Sequence, residues 1–330
     1  MTPLRFEPFL RPMVWGGRRL GAVLHKHLPT DETYGESWEI SDHPSHRSVV
    51  ADGVWAGRTL RELMGQEHAA LLGKAASGHE VFPWLVKLLD ANDRLSVQVH
   101  PDEEDVRRFW PGEGSKTEAW FVLAAEPDSR IYAGLLPGVD ERRLRAALEA
   151  GMVADCLHQF TPRPGDCLFL PAGTVHAVGG GVLMAEVQQT SDATFRLFDW
   201  NRHDAEGKSR RLHVEESLAC IDWAGGPVNP VAAVGFPGGV GEVSPTTSVR
   251  QSLVRCRYFA LDYLRQTSRF TLGGTGRLQV AVVLHGSGVL ETAEGEKRLT
   301  AGESWLLPAA LPMTACIPDE PLGLLLATLP

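Results

Sequence analysis

Residues 163–176 read RPGDCLFLPAGTVH and place one histidine inside a frame of turns. Gly165 opens the stretch, an apolar run suited to a strand follows, and Pro171 and Gly173 close it shortly before His176. Proline and glycine prescribe particular backbone angles in turns, so this frame fixes the direction in which the imidazole of His176 projects. A histidine alone in a turn usually has no special role, but the framing makes His176 a candidate functional residue.

Residues 300–313, TAGESWLLPAALPM, repeat the turn, strand and turn of the first stretch. Gly302 and Pro308 have the same spacing as the first glycine and proline of that stretch. In this register Met313 lies opposite His176, so the second copy lacks the imidazole. We expect the first copy to carry the function and the second copy to support it.

Glycine and proline punctuate the whole chain, with 34 glycines and 22 prolines between short apolar segments. This pattern predicts a mainly β protein with a few additional helices. The predicted strands before residue 223 are Arg94–His100, Glu118–Ala124, Ser129–Ala133, Asp166–Leu170, Val182–Val187 and Thr194–Phe198. Those near the C-terminus are Gln279–Leu284, Gly288–Thr292, Ser304–Leu307 and Leu322–Thr328. The predicted helices are Thr59–Leu72, Asp140–His158 and His213–Trp223.

The segment Trp223–Val249 is rich in glycine and proline and has no periodicity, which is typical of an extended connector. It predicts an N-terminal domain over residues 1–223, a connector over 224–249 and a C-terminal domain over 250–330.

The overall composition restricts the class of protein. The 330 residues carry a net charge of −9, and 43% are hydrophobic and 22% charged, as in ordinary globular proteins. The acidic balance argues against a nucleic acid partner, although it leaves room for a local basic pocket that binds a small anion. No apolar run approaches the ~20 residues of a membrane helix. The five cysteines are widely spaced and form no CxxC pair, which fits reduced thiols. We therefore expect an unanchored cytoplasmic protein.

The stretch LSVQVHP, residues 95–101, alternates polar and apolar side chains. In a strand, Ser96, Gln98 and His100 point to one face, and Val97 and Val99 point to the other. Taken alone, the pattern fits equally well a strand whose polar face meets solvent.

The stretch KTEAWFVLA, residues 116–124, continues the alternation. It places Lys116, Glu118 and Trp120 on one face, so an ammonium and a carboxylate can address one pocket. A surface ion pair is the alternative.

The chain resembles the cupin superfamily, whose second motif has the spacing G-x5-P-x-G-x2-H found at residues 165–176. The resemblance implies a jelly-roll β-barrel with a metal inside, and the internal repeat implies two such barrels. The usual HxH followed closely by Glu is absent, because Gln98-Val99-His100 precedes Glu118 by a loop.

Within the cupins, the chain is most similar to class I mannose-6-phosphate isomerases of the short bacterial kind, also called phosphomannose isomerases. The stretches that carry this resemblance lie between Trp15 and Arg202 and are YGESWEISDHP, PWLVKLLDANDRLSVQVHPDEE, GSKTEAW and PAGTVHAVGGGVLMAEVQQTSDATFRLFDWNR.

The resemblance implies that Gln98, His100, Glu118 and His176 hold one zinc ion per chain. Two imidazoles, a carboxylate and an amide oxygen are an N/O donor set suited to zinc, and manganese, cobalt, nickel or iron would also fit it.

The resemblance also implies a catalytic role for Arg196, in the motif TSDxTxR. The alternative is a surface arginine beside Asp199. Ser96 and Lys116 match positions that line the substrate pocket of the family, and Lys87 is a weaker candidate. The residues expected to support the site from behind are Glu36, Glu39, Glu186, Gln188 and Gln189.

The implied reaction interconverts mannose 6-phosphate and fructose 6-phosphate through a cis-enediol, and the implied partner is a small sugar phosphate. Lys116 is our hypothesis for the group that moves the proton, and a water on the metal or a nearby carboxylate are the rivals. The competing hypothesis is a metal-binding cupin that senses or acts on another sugar phosphate. We expect a monomer or a weak homodimer, with no nucleic acid or membrane partner.

Overall fold

The computed structural model describes residues 1–203 and 207–330. Most of its regular structure is β. The strands before residue 233 are β1 (Leu4–Arg5), β2 (Phe9–Gly17), β3 (Tyr34–Ile40), β4 (Asp42–His43), β5 (His46–Arg47), β6 (Trp84–Ala91), β7 (Val97–Val99), β8 (Glu118–Ala125), β9 (Ile131–Leu135), β10 (Leu157–Phe160), β11 (Asp166–Leu170), β12 (His176–Val178), β13 (Val182–Gln189), β14 (Phe195–Phe198) and β15 (Val231–Ala232).

The strands after residue 248 are β16 (Val249–Arg255), β17 (Ala260–Gln266), β18 (Phe270–Leu272), β19 (Gln279–His285), β20 (Ser287–Thr292), β21 (Gly295–Thr300), β22 (Ser304–Leu307), β23 (Thr314–Pro318) and β24 (Leu322–Thr328). The α-helices are α1 (Arg19–Ala22), α2 (Leu60–Gln66), α3 (His68–Leu72), α4 (Glu103–Phe109), α5 (Glu141–Ala150) and α6 (Val214–Cys220). Ala76–Gly78 and Val153–Cys156 form 3-10 turns.

Two antiparallel sheets enclose the region of interest in the first two thirds of the chain. One has the order β15-β11-β8-β13-β6-β3-β2 and the other the order β10-β9-β12-β7-β14. Apolar residues of both sheets form one buried cluster, among them Leu89, Val122, Ala133, Leu168 and Val178. The burial of this shared apolar surface holds the two sheets together.

The last third of the chain builds two further antiparallel sheets. Their orders are β1-β22-β19-β24-β17-β16 and β18-β23-β20-β21. Leu264, Val283, Leu290, Leu299 and Cys316 belong to the core that these strands share. The short strand β1 comes from the start of the chain and pairs with β22, so the first residues belong to the C-terminal sheet.

The largest apolar core joins the two parts of the chain. It contains residues of β6, β8 and β13 together with residues of β17, β19 and β24. Phe121 of β8 stacks on Tyr263 of β17 with ring centroids 6.0 Å apart. Phe236 contacts both rings, with centroids 5.1 Å from Phe121 and 5.9 Å from Tyr263.

The mainly β prediction with few helices is confirmed. The strand predicted over Arg94–His100 is shorter, because only Val97–Val99 pairs with neighbours. The helix predicted over Asp140–His158 is wrong beyond Ala150. Gly151 ends α5 in the left-handed region at φ +68°, and a 3-10 turn and β10 follow.

The other two predicted helices are also shorter than expected. The segment Thr59–Leu72 forms two helices that meet at Glu67. Thr59 and Glu62 cap the first of them reciprocally. The third helix is limited to Val214–Cys220.

The predicted connector is not purely extended. Its residues Val231–Ala232 pair with β11, and its Phe236 is buried in the shared core. The limits 1–223, 224–249 and 250–330 stay a prediction. No helix in residues 1–203 and 207–330 combines the length and the apolar character needed to cross a membrane.

Candidate active site

Strand register brings the predicted site residues of the five-stranded sheet side by side. β7 lies between β12 and β14, and Gln98 pairs with His176 on one side and with Arg196 on the other. In the seven-stranded sheet, Glu118 of β8 pairs with Leu170 and Gln188. Since the two sheets face each other, the side chain of Glu118 approaches the imidazoles of His100 and His176 from the opposite sheet.

His100, Glu118 and His176 form a buried cluster. His100 Nε2 lies 3.3 Å from Glu118 Oε2, and His176 Nε2 lies 3.3 Å from Glu118 Oε1. The candidate ligand atoms of the three residues are all within 4.8 Å of one another. None of the three side chains is more than 2% exposed.

Hydrogen bonds to the backbone orient both imidazoles. His100 Nδ1 lies 3.0 Å from the carbonyl oxygen of Ala193, and His176 Nδ1 lies 2.8 Å from that of Thr174. A carbonyl only accepts, so each Nδ1 donates, and each Nε2 keeps its lone pair toward Glu118. Burial lowers the pKa of His100 to about 3 and also lowers the pKa of His176, so both rings are neutral at physiological pH.

This cluster fits a metal ion. His100 Nε2 and both carboxylate oxygens of Glu118 are buried without a hydrogen-bond partner. Buried acceptors without a hydrogen bond are costly, and a cation among these three atoms would satisfy all of them. Two imidazoles and a carboxylate are donors that zinc and related divalent metals accept.

Gln98 lies at the edge of the cluster. Its amide nitrogen is 3.3 Å from His176 Nε2. The two ends of an amide have the same shape and are assigned from hydrogen bonding. A half turn about the last side-chain bond brings the oxygen to this place, so all four members of the predicted ligand set lie together.

A cavity of about 290 Å³ opens beside the cluster. Five cationic side chains and three carboxylates line it, which gives it a cationic surplus: Arg11, Lys87, Lys116, Arg196 and Arg210 against Glu36, Glu186 and Asp192. Its other lining residues include Ser96, Gln98, Trp15, Trp110, Trp120 and His213. The cavity suits a small polar anion, although the whole chain is acidic.

Lys116 connects the cavity to the cluster. Its ammonium lies 3.2 Å from Glu118 Oε2, and the two side chains are 6% and 1% exposed. Burial opposes ionisation of Glu118. The charge of Lys116 and the contact with His100 nonetheless hold the pKa of Glu118 well below its usual range.

A second buried lysine–carboxylate pair lies deeper in the cavity wall. Lys87 Nζ is 3.3 Å from Glu186 Oε1, and Trp120 donates to Glu186 Oε2 at 2.9 Å. Burial raises the pKa of Glu186 despite the nearby ammonium of Lys87, and Glu118 adds to the rise as a like charge. Glu186 is therefore a buried carboxylate that can exchange a proton nearer neutral pH than an ordinary glutamate.

Arg196 reaches the cavity from β14. Its Nη1 donates to the carbonyl of Arg211 at 2.9 Å, whereas its Nε is buried without a partner. Burial and the neighbouring charge of Arg210 lower the pKa of Arg196.

The five residues expected to support the site occupy different places. Glu36 and Glu186 line the cavity. Gln189 accepts from the Thr117 backbone at 2.9 Å and so holds the segment that carries Lys116.

Glu39 and Gln188 complete the set. Glu39 lies outside this cavity and pairs with Lys26 at 2.7 Å. Gln188 donates to the carbonyls of Gln189 and Ser191.

Several cavity residues were absent from the predicted site. They include Arg11, Trp15, Trp110, Asp192, Arg210 and His213. Asp192 lies in the motif from which Arg196 was identified, so that motif was the available signal. Arg210 lies in a polar segment without periodicity, and no local pattern marks it.

The second copy of the repeat has a methionine where the first copy has His176. Met313, which lies opposite His176 in the repeat, is 71% exposed. Among residues 1–203 and 207–330, the cluster of potential metal-binding side chains is the one at His100, Glu118 and His176.

Comparison with known proteins gives consistent matches over the chain. Residues 4–126 match the family model of the phosphomannose isomerase type I catalytic domain. The mannose-6-phosphate isomerase ManA of Bacillus subtilis is 34% identical over 309 residues, which cover 94% of each chain. The mannose-6-phosphate isomerase of Streptococcus mutans is 40% identical over 231 residues, covering 70% of this chain and 71% of that protein. The crystal structure of the mannose 6-phosphate isomerase from Bacillus subtilis superimposes with a TM-score of 0.84 at 27% identity, covering 99% of each chain.

Proposed function

Because the chain belongs to the type I phosphomannose isomerase family, we propose that it interconverts D-mannose 6-phosphate and D-fructose 6-phosphate with the help of one zinc ion. The observation that carries the proposal is the buried cluster of His100, Glu118 and His176 beside a cavity lined with cationic side chains. A sugar phosphate needs a site for its anionic group, and an aldose–ketose isomerisation needs charge stabilisation at C1 and C2.

The proposed metal ligands are Gln98, His100, Glu118 and His176. Zinc held there would supply positive charge beside the oxygens on which negative charge develops during the reaction. Backbone hydrogen bonds orient the two imidazoles, and the surrounding strands bury the imidazoles together with the ionised carboxylate. The ligand atoms are therefore held in place.

The reaction moves a proton between C2 and C1 through a cis-enediol. Lys116 is the proposed proton-transferring residue, because it lines the cavity and its ammonium lies 3.2 Å from Glu118. Glu186 is the rival carboxylate, since it also lines the cavity and burial raises its pKa.

Arg196 and Ser96 complete the proposed substrate contacts. Arg196 places a fixed positive charge beside Gln98, its pairing partner across β7 and β14. Ser96 offers a hydroxyl to the substrate from the loop before β7, and only 5% of this residue is exposed.

The proposed setting is the cytoplasm, where free thiols persist, and the proposed assembly is a monomer or weak homodimer. All five cysteines are free in the structure. The competing function, a cupin that senses or acts on another sugar phosphate, uses the same cluster and cavity.

The test is the formation of fructose 6-phosphate from mannose 6-phosphate by the purified protein, measured before chelation, after chelation and after zinc is returned. Activity that is lost and then restored supports both the reaction and the metal. A zinc-loaded protein without activity contradicts the proposal and favours the competing function. Glucose 6-phosphate, assayed in parallel, measures how strictly the cavity selects its substrate.

A further inference from the structure

Glu113 is a largely buried carboxylate outside the set of predicted site residues. Its side chain is 15% exposed, and it lies in the loop that leads from α4 to β8. Glu113 lines a separate cavity of about 450 Å³. Any influence of this carboxylate on the substrate cavity therefore passes through the residues that it contacts.

The carboxylate of Glu113 joins two loops beside the site. Its Oε2 accepts from the backbone amide of Asp192 at 3.1 Å. The hydroxyl of Ser191 lies between the same two loops, 3.1 Å from Glu113 Oε2 and 2.7 Å from the carbonyl oxygen of Gly114. This hydroxyl also accepts from the backbone amide of Ala193 at 3.1 Å. The loop between β13 and β14 is therefore fastened to the loop before β8.

His43 holds the other oxygen of this carboxylate. Its Nδ1 accepts from the backbone amide of Ser45 at 3.2 Å, so its Nε2 carries the hydrogen and donates to Glu113 Oε1 at 2.8 Å. The pairing of β4 with β5 and the ring of Trp38, whose centroid is 5.9 Å away, keep the imidazole in place. Burial opposes ionisation of Glu113. The hydrogen bonds from His43 and from the Asp192 amide nonetheless hold the pKa of Glu113 below its usual value, so both of its oxygens accept.

Each of the two fastened loops carries a group that the proposed reaction needs. The carbonyl of Ala193 accepts from His100 Nδ1 at 3.0 Å and so orients that imidazole toward Glu118. Lys116 lies in the other loop, and its ammonium is 3.2 Å from Glu118 Oε2. A shift of either loop moves a metal-ligand candidate or the ammonium, and a misplacement of about 1 Å can lower a rate ~100-fold.

We propose that Glu113 is a positioning residue for the metal cluster and for Lys116, with His43 as its anchor. It acts on the cluster through the carbonyl of Ala193, which orients His100. This inference rests on the proposed function and adds to it a requirement on residues outside the cavity. The carboxylate is required because it accepts from two donors with separate oxygens. A glutamine has one acceptor oxygen, so it loses one of the two bonds and turns its own hydrogens toward a donor.

The experiment titrates metal-free protein with zinc and, in parallel, with cobalt, whose absorption spectrum reports the arrangement of its ligands. We expect Glu113→Gln to weaken zinc binding ~10-fold, the lower end of the range for groups that orient a metal ligand, and to change the cobalt spectrum. In zinc-saturated protein kcat should fall at least ~10-fold. His43→Ala should act in the same direction, and His43→Gln, whose amide still donates to Glu113, should restore most of the loss. The control Ser45→Ala removes a hydroxyl 2.6 Å from His43 Nδ1 and should leave zinc affinity and kcat within about twofold of the wild type.

A folded Glu113→Gln protein with the zinc affinity, cobalt spectrum and kcat of the wild type would overturn the inference, even if its free energy of unfolding is lower. A comparable effect of Ser45→Ala would also overturn it, because any change near His43 would then produce the loss. If Glu113→Gln does not fold, His43→Ala and His43→Gln decide, and equal values in these two variants would overturn the inference. The zinc titration does not depend on turnover. Weaker zinc binding by Glu113→Gln, in a protein whose wild type does not convert mannose 6-phosphate, would support the positioning role and contradict the proposed function.

Discussion

Replacing Glu118 with glutamine tests the metal cluster, and the chain contains a matched control. Glu118 and Glu39 are both buried carboxylates that pair with a lysine whose side chain is at most 9% exposed, Lys116 at 3.2 Å and Lys26 at 2.7 Å. Removing one partner of a buried pair leaves an uncompensated charge and costs roughly 3–5 kcal/mol of the free energy of unfolding. We therefore expect Glu118→Gln and Glu39→Gln to lose similar stability in metal-free protein. Only Glu118→Gln exchanges the carboxylate of the cluster for a neutral amide, which is a weaker metal ligand.

The difference appears when zinc is added. At zinc concentrations of about 100 times Kd, wild type and Glu39→Gln should each gain about 2.7 kcal/mol of stability. Loss of even an outer contact of a metal site weakens binding ~10- to 100-fold. A 100-fold weaker Kd leaves Glu118→Gln a gain of only about 0.4 kcal/mol.

The assay is urea unfolding of each protein after chelation and again with zinc, with bound metal counted by mass spectrometry. An equal zinc-dependent gain in wild type and Glu118→Gln would refute the assignment of Glu118 as a ligand. A missing gain in Glu39→Gln would show that general destabilisation, and not the cluster, governs metal binding.

Three further predictions follow from single positions. Lys116→Met should lower kcat by at least ~100-fold, which is the usual contribution of a general acid–base residue. The zinc content should stay near one ion per chain. A wild-type rate in steady-state assays would exclude Lys116 as the proton-transferring residue. Gly302→Ala should cost roughly 1–3 kcal/mol more in urea unfolding than Gly138→Ala. Both glycines have positive φ. A Cβ at Gly302 would lie 2.3 Å from the carbonyl oxygen of Leu24, whereas a Cβ at Gly138 would meet no atom within 4 Å. Equal losses of unfolding free energy in the two variants would contradict this prediction. His285→Gln should reduce the stability lost between pH 7 and pH 5 by about 2 kcal/mol. Burial lowers the pKa of His285 to about 4, so between pH 7 and pH 5 a proton binds this histidine mainly in the unfolded chain, whose pKa is ~6.5. The same loss of stability in wild type and His285→Gln, measured by urea unfolding at both pH values, would refute this prediction.

The parts of the site that the sequence predicted are those governed by local rules. The turn residues Gly165 and Gly173 both adopt positive φ, and the chain that follows Gly173 delivers His176 to the cluster. Strict alternation along β7 and its flanks placed Gln98 and His100 on one side. Neither inference required knowledge of the partner strands.

The failures have equally physical causes. The helix predicted through His158 ignored Gly151, whose left-handed conformation ends α5. Helix α4 was missed, although Asp102 caps it by accepting from two backbone amides in its first turn. Glu39 was grouped with Glu36 although alternation along β3 places them on opposite faces.

Arg210 shows a different limit. Its place in the cavity depends on Asp199, which accepts a hydrogen bond from Arg210 Nε at 2.7 Å. Loops have no side-chain period, so no pattern in the sequence reports such a contact. The position of Arg210 in the cavity therefore emerged only from the structure.

Strand β8 explains why the second copy of the repeat can lose its imidazole and still serve the site. Glu118 and Trp120 of β8 face the cluster and the cavity, while Ala119 and Phe121 face the core shared with the C-terminal sheets. Phe121 stacks there on Tyr263. A carboxylate buried beside two imidazoles and an ammonium keeps its geometry only if its strand is fixed by packing on the other face. The C-terminal sheets provide that packing through apolar side chains, and this role makes no demand on the residue at position 313.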